Sequence, residues 1–285
     1  RERVLLISIR QKGEETMNLD TTKPWAVFLD IDGTLMKWAS AVEVWDSVMS
    51  AENAEAIARA RQNGHKVLIN TGRGYACLPR QLAEQEYFDG YVTALGSLVD
   101  VEGKTVYNSS IPREKLEKLL DYIFLHKKPC RFQGRHAALC IDPSGPVPAG
   151  WTQVNSKEEF FAALGEDFVS KITVDREFTD DYLAFVRSML NVYASNDGGE
   201  ACNAGNDKAA GMALALKALG IPPERSIAVG DSINDAEVLK AAGVAVAMGN
   251  APDSIKEICE LVTDTCENDG VAKALTALRL TLRAC

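Results

Sequence analysis

Four short apolar runs break off at polar or glycine residues: 26–30 (AVFLD), 66–71 (KVLINT), 226–231 (SIAVGD) and 244–249 (VAVAMG). Their hydrophobicity is continuous rather than alternating, the pattern of strands buried on both faces of a parallel sheet. Helical stretches lie between them. Residues 50–63 carry apolar positions at helical spacing and stop at Gly64. Residues 207–219 stop at Gly220, ahead of Pro222 and Pro223, and residues 233–242 stop at Gly243. Glycine just past the last turn is a common terminator, because it takes the left-handed cap without strain. Strand, helix and strand repeated in this way predict an α/β fold with a doubly wound, mostly parallel sheet.

The middle of the chain follows another pattern. Residues 91–108 predict two strands joined by Glu102-Gly103, a hairpin signal. A helix near 112–127, a strand pair around 130–142 and a loop at 142–150 come next. A helix near 156–164, a strand at 168–175, a helix near 179–190 and a strand at 191–195 complete the segment. The expectation is an inserted α+β unit over 109–198, with antiparallel strands and helices on one face. The α/β core then occupies 17–108 and 199–285. Residues 1–16 precede the first methionine, Met17, and are read as a non-native or disordered extension outside the fold argument.

Composition narrows the function. A chain of 285 residues with 46% apolar and 25% charged residues has the balance of a soluble globular protein, long enough for a core and a second unit. The net charge of −9 repels nucleic acid and anionic membrane, so neither is an expected partner. A local basic pocket can still hold a small phosphate. No apolar run approaches the roughly 20 residues of a membrane span, and the N-terminal stretch is too short and charged for a cleaved leader. Seven cysteines, an odd number with no C-x-x-C pair, argue against a disulfide framework or a zinc site and favour a reducing cytoplasm. His65, His126 and His136 are scattered, and each reads as an ordinary imidazole. The expected assembly is a monomer or a small homo-oligomer.

In an open parallel sheet, ligands bind beyond the carboxyl ends of the strands. Three of the four runs end there in Asp30, Thr71 and Asp231, and the fourth continues through Gly249 to Asn250. Any one of these is unremarkable as a helix cap or turn former. Together with Asp32 and Asp235 they gather carboxylates at one edge. Like charges so close raise one another's pKa unless a cation lies among them. A hard divalent ion with oxygen ligands is the natural partner, and Mg²⁺ fits, since it takes one or two carboxylates and keeps water and phosphate for the rest.

The stretch 30–35 (DIDGTL) carries the DxDGT signature, followed in order by Thr71-Gly72-Arg73, Lys208 and 230–235 (GDSIND). With the insert between the second and third motifs, the chain resembles the haloacid dehalogenase-like (HAD) phosphohydrolases of the Cof-type subfamily with a type IIB cap. The resemblance covers essentially residues 24–275. It implies a Mg²⁺-dependent phosphatase acting on a small phosphorylated metabolite, a sugar phosphate by first preference.

The resemblance also implies roles. Asp30 would be the nucleophile, forming an aspartyl phosphate, and Asp32 the general acid and base. Gly33 would allow the turn that faces both carboxylates to one site. The metal would take Asp30, the main-chain carbonyl of Asp32 and Asp231, with Asp235 holding a metal-bound water or supporting Asp231. Thr71 would offer its hydroxyl and N–H to the phosphoryl group, and Lys208 a positive charge. The remaining phosphate- and substrate-binding set is Gly33, Gly72, Arg73, Asn234 and Asn250. Arg73 could equally be a surface ion pair.

One departure stands out: relatives usually carry Asn-Gly after the second motif, whereas this chain has Leu95-Gly96. Specificity is expected to lie in the cap, with Arg131, Arg135, His136 and Lys171 as candidates against the ordinary alternative of a solvated sheet face. Tryptophans 38, 45 and 151 could line a pocket or simply pack. Rival readings are a phosphosugar mutase on the same aspartates and a catalytically weak metabolite-binding module. A dehalogenase fits poorly, since that chemistry needs no metal site.

Overall fold

The computed structural model describes residues 19–37, 48–83, 87–142, 145, 147, 149–175, 179–195 and 198–282; residues 1–16 and tryptophans 38 and 45 lie outside them. Along the chain the strands are β1 (Ala26–Leu29), β2 (Lys66–Asn70), β3 (Gly90–Thr93), β4 (Leu98–Val101) and β5 (Lys104–Asn108). There follow β6 (Cys130–Gln133), β7 (Ala138–Ile141), β8 (Thr152–Gln153), β9 (Lys171–Asp175), β10 (Asn191–Ser195) and β11 (Gly198–Cys202). The last are β12 (Ser226–Gly230), β13 (Val244–Ala247) and β14 (Leu261–Val262).

Two sheets result. The larger has the order β14-β13-β12-β1-β2-β3-β4-β5. It is parallel from β14 to β3 and antiparallel across β3, β4 and β5. Its central strands, β1, β12 and β13, are almost wholly apolar because both faces are covered, whereas β5 at the edge (KTVYN) is largely exposed. Val27 and Leu29 pack on one side with Ile57 and Ala60 of the helix Ala51–Gln62 and with Val271 and Leu275 of Gly270–Ala277. Ala26 and Phe28 pack on the other with Met212, Ala215 and Leu216 of the helix Lys208–Leu219 and with Val238 and Leu239. This is the predicted doubly wound α/β arrangement.

The smaller sheet has the order β10-β11-β9-β6-β7-β8. Alternation decides its two faces. Phe132, Leu139, Ile172 and Ala201 point into a core with the helices Arg113–His126, Lys157–Leu164 and Asp180–Arg187. Their strand neighbours Arg131, Gln133, Lys171, Thr173 and Glu200 form the opposite face.

Two expectations need correction. The sequence reading returned the chain to the larger sheet at 199, but β11 runs to Cys202 and pairs antiparallel with β9 and β10. Gly198-Gly199 resembles a turn in sequence, while ladder pairing requires only backbone. Residues 91–108 contribute to three strands rather than two. Ala94, Leu95 and Gly96 all take positive φ (53°, 56° and 76°), reversing the chain between β3 and β4.

That reversal receives the helix Lys208–Leu219 at close range. A Cβ on Gly96 would lie 2.1 Å from the Asp207 carbonyl oxygen, and one on Gly211 would lie 2.4 Å from Val92 Cγ1 and 2.9 Å from Gly96 Cα. Asp207 caps the helix, accepting from the Ala210 N–H at 2.6 Å. The two glycines let its first turn settle onto the strand ends, and Lys208 comes with it.

Two predictions arise from this packing. Gly211→Ala places a methyl where Val92 and Gly96 already sit, so it is expected to destabilise the fold by about 1–3 kcal/mol in urea unfolding despite alanine's better helix propensity. The second concerns His65, which is buried and accepts the Trp25 N–H at Nδ1 (3.2 Å). Burial lowers its pKa from the ordinary 6.5. The unfolded chain therefore takes up this proton first as pH falls below about 6.5, and stability is lost from there down to the depressed native value. His65→Asn keeps an acceptor without the titration; its unfolding free energy should fall less between pH 7 and 5 than that of the wild type.

Candidate active site

The larger sheet brings the carboxyl ends of β1, β2 and β12 side by side, and the polar residues that terminate them meet there. Asp30 continues β1, its N–H donating to the Val229 carbonyl at 3.1 Å. Asp231 follows β12, and Asp235 closes the short turn Ile233–Asp235 beyond it. Carboxylate oxygens of Asp30, Asp231 and Asp235 all lie within 4.8 Å of one another, and all three residues are buried.

Lys208 sits among them with its side chain 4% exposed. Its ammonium donates to Asp30 Oδ1 at 2.8 Å and to Asp235 Oδ1 at 2.6 Å. Asn70, the last residue of β2, holds the lysine's backbone by donating from Nδ2 to the Lys208 carbonyl at 3.0 Å. Asp235 is fixed from the other side: its Oδ2 accepts the N–H groups of Asp231 (3.1 Å) and Ser232 (3.0 Å). Asp231 accepts the Thr34 hydroxyl at 3.1 Å. Asn250 ties this corner together, donating to the Gly33 carbonyl at 2.8 Å and to Asp231 Oδ2 at 3.4 Å.

The electrostatics follow from crowding and burial. Desolvation pushes the Asp30 carboxyl up to about 7, against the pull of Lys208 and with a further push from Asp235. Asp231 rises to about 6, chiefly by burial and then by the charge on Asp235. Burial alone would lower the Lys208 pKa, but Asp235 and Asp30 outweigh it and hold the ammonium charged. The cluster thus has more negative charge than its single lysine neutralises. Three buried carboxylates from two separate segments, Asp30 after β1 and Asp231 with Asp235 after β12, offer oxygen donors only and fit a hard divalent cation such as Mg²⁺.

Asp32 stands apart from this trio. Its two carboxylate oxygens accept the Arg73 fork, Nε at 2.7 Å and Nη2 at 2.5 Å, and Arg73 Nη1 also donates to the Cys77 carbonyl at 3.2 Å. Arg73 is therefore a partly buried ion-pair partner of Asp32. Thr71 differs from expectation. Its N–H donates to the Val92 carbonyl at 2.9 Å as a continuation of the sheet, so only the hydroxyl remains for a ligand. That hydroxyl accepts the Arg73 N–H at 3.2 Å and keeps its own proton for donation. Asn234 is exposed on the turn Ile233–Asp235. Gly33, at φ 80°, makes the turn after Asp32 that only glycine takes freely.

The smaller sheet presses its polar face against residues 72–74. Lys171, fully buried, donates to the Gly72 carbonyl at 2.7 Å and pairs with Glu200. Gln133 accepts the Gly74 N–H at 2.7 Å and donates to Thr173 at 3.0 Å. Arg135 reaches Asp100 on β4 with two bonds of 3.0 and 2.9 Å. Of the other cap candidates, Arg131 lies 5.6 Å from the Trp151 ring and His136 is exposed. Sequence reasoning missed Asn70, Thr34, Gln133 and Glu200. Thr34 lies within the DxDGT stretch and Asn70 ends an apolar run, so both had a local signal; Gln133 and Glu200 had none.

The chain matches the haloacid dehalogenase-like hydrolase family over residues 27–275. It is 29% identical over 276 residues to the 5-amino-6-(5-phospho-D-ribitylamino)uracil phosphatase YitU of Bacillus subtilis, covering 89% of this chain and 97% of that one. It is likewise 29% identical over 254 residues to the phosphatase YcsE of the same organism, named for the same substrate, with 87% and 93% covered. Among solved structures, a protein of Geobacillus kaustophilus superposes with a TM-score of 0.76 at 24% identity, covering 90% of this chain and all of that one. The HAD subclass IIB sugar phosphatase BT4131 gives 0.70 at 24% identity, with 90% and 99% covered. These two likenesses establish the fold. Among the described residues no helix is long and apolar enough to cross a membrane. From the ordered motifs, the carboxylate cluster and the match across most of its length, the chain belongs to the haloacid dehalogenase-like hydrolases and is a phosphoric monoester hydrolase.

Proposed function

We propose that this protein is a Mg²⁺-dependent phosphatase that cleaves a small phosphorylated metabolite, a sugar phosphate in the first instance, through an aspartyl phosphate on Asp30. The observation that carries the reading is the meeting of Asp30, Asp231 and Asp235 within 4.8 Å around the Lys208 ammonium. The relatives named for a phosphoribityl substrate support a polyhydroxylated leaving group. The smaller sheet, from about 109 through Cys202, acts as the cap over a core formed by the rest. The protein works in the cytoplasm as a monomer or small homo-oligomer.

The chemistry distributes as follows. An Asp30 carboxylate oxygen attacks phosphorus while the ester P–O bond breaks, and Asp32 supplies the proton that the leaving alkoxide needs. Water then attacks the acyl phosphate, Asp32 takes its proton, and the bond from phosphorus to Asp30 breaks to release inorganic phosphate. Both Asp32 oxygens accept from the Arg73 fork, so proton donation in the first step requires one of these two bonds to loosen. The Thr71 hydroxyl and the Lys208 ammonium hold the phosphoryl oxygens. Asp30, Asp231 and the main-chain carbonyl of Asp32 would hold the metal, with Asp235 behind them. When bound, Mg²⁺ offsets the repulsion between anionic nucleophile and phosphate and stabilises charge on the transferring oxygens.

Two experiments test this. Asp30→Asn should lower kcat on p-nitrophenyl phosphate by on the order of 10³-fold or more, with an unchanged circular dichroism spectrum; substantial residual turnover would move the nucleophile elsewhere. Chelation by EDTA should abolish turnover and added Mg²⁺ restore it without any sugar bisphosphate, which separates hydrolysis from mutase transfer. The metal should also stabilise the fold, by about 2.7 kcal/mol at 100 times its dissociation constant. Asp231→Asn should remove most of that stabilisation in a thermal unfolding assay.

A further inference from the structure

The polar face of the smaller sheet is arranged in rows. Strand register sets Gln133 of β6 beside Lys171 of β9, and sets Arg131, Thr173 and Glu200 side by side across β6, β9 and β11. The first row is occupied with docking, since Lys171 and Gln133 bond the backbone at Gly72 and Gly74. Of the second row, Glu200 reaches the loop at residues 71–73. Its Oε2 is only 3.2 Å from where a Gly72 Cβ would be, and Gly72 stands between Thr71 and Arg73. One carboxylate oxygen of Glu200 pairs with Lys171, yet its side chain remains 28% exposed while that of Lys171 is 1% exposed. The pair therefore shows the carboxylate, and not the ammonium, to whatever occupies the space beside residues 71–73. Arg131 is two strands away, roughly 10 Å at the usual strand spacing, and the Arg73 fork is taken by Asp32.

We infer that Glu200 is a specificity-determining residue whose carboxylate accepts hydrogen bonds from hydroxyl groups of the leaving group and disfavours a leaving group with a second anion next to the phosphate ester. The inference rests on the phosphatase reading and deepens it, because it names the leaving-group class as neutral and hydroxylated near the ester. The physical ground is asymmetric. A hydroxyl beside a partly desolvated carboxylate gains a charge-assisted bond. A carboxylate or phosphate in the same place meets like charge at short range where screening is weak.

A matched pair of probes isolates the effect: glycerol 3-phosphate and 3-phosphoglycerate differ only in a CH₂OH replaced by a carboxylate. Wild-type protein with Mg²⁺ should favour glycerol 3-phosphate in kcat/KM. Glu200→Gln should shift the ratio of the two kcat/KM values towards 3-phosphoglycerate by about tenfold, the usual scale of a 1.4 kcal/mol change. Since Glu200→Gln leaves Lys171 buried without its partner, the double variant K171M/E200Q, which removes both charges, is measured alongside and should shift the ratio in the same direction. A general loss of packing lowers both constants together and leaves the ratio alone. An unchanged ratio in both variants overturns the role of Glu200 while the phosphatase reading stands. Absence of metal-dependent turnover by the wild type on these esters and on p-nitrophenyl phosphate overturns both.

Discussion

A single buried ammonium makes the rest of the site possible. Three carboxylates packed at one sheet edge repel one another, and water cannot screen them there. Lys208 reaches two of them directly, at 2.8 and 2.6 Å. Burying such a pair is costly in itself, and removing one partner of a buried pair typically costs about 3–5 kcal/mol because the other charge is stranded. The fold therefore has to deliver the ammonium to a fixed place. It does so through backbone: Asn70 grips the Lys208 carbonyl, and Gly96 and Gly211 remove the side chains that would keep the helix away. The same constraint accounts for the place of the helix N-cap, Asp207, whose carbonyl lies against the left-handed Gly96.

Strain is accepted where it places these groups. Leucine in the left-handed region is disfavoured by roughly 1–2 kcal/mol, yet Leu95 takes φ 56° and is buried. Asparagine tolerates that conformation better, so the substitution relative to the usual Asn-Gly is not explained by backbone preference. Burial offsets it: covering a leucine side chain contributes about 1.5–3 kcal/mol. Leu95 Cδ2 lies 3.5 Å from the position of a Gly72 Cβ, so the leucine packs beneath the loop that carries Thr71 and Arg73. An apolar residue here supports the loop mechanically and presents no hydrogen-bonding group to a ligand.

How far this could be read in advance depended on whether the determining contacts were local. Buried parallel strands betray themselves as unbroken apolar runs, and ligands in such folds gather at strand ends, so Asp30, Asp231 and Asp235 were legible together. Thr34 and Asn70 were within reach of the same logic. The Arg73–Asp32 fork was not, since it joins residues 41 apart whose meeting depends on the twist of the sheet. Nor was the use of the Thr71 N–H, which the register of β2 against β3 commits to Val92. Glu200 was hidden most completely. It lies in a strand with two glycines, where alternation is too brief to register, and it belongs to the smaller sheet that the sequence boundary at 199 had divided.

The two sheets meet in a way that separates chemistry from selection. Lys171 and Gln133 bind main-chain atoms of Gly72 and Gly74, not the side chains of Thr71 or Arg73. Glycine at 74 is required for this approach, because a Cβ there would overlap Gln133 Cβ at 2.6 Å. Docking through backbone at Gly72 and Gly74 uses neither the Thr71 hydroxyl nor the Arg73 fork. Arg135 and Asp100 add a side-chain link between the sheets on β4, so it is at residues 72–74 that the junction runs to peptide groups, which carry no side-chain identity.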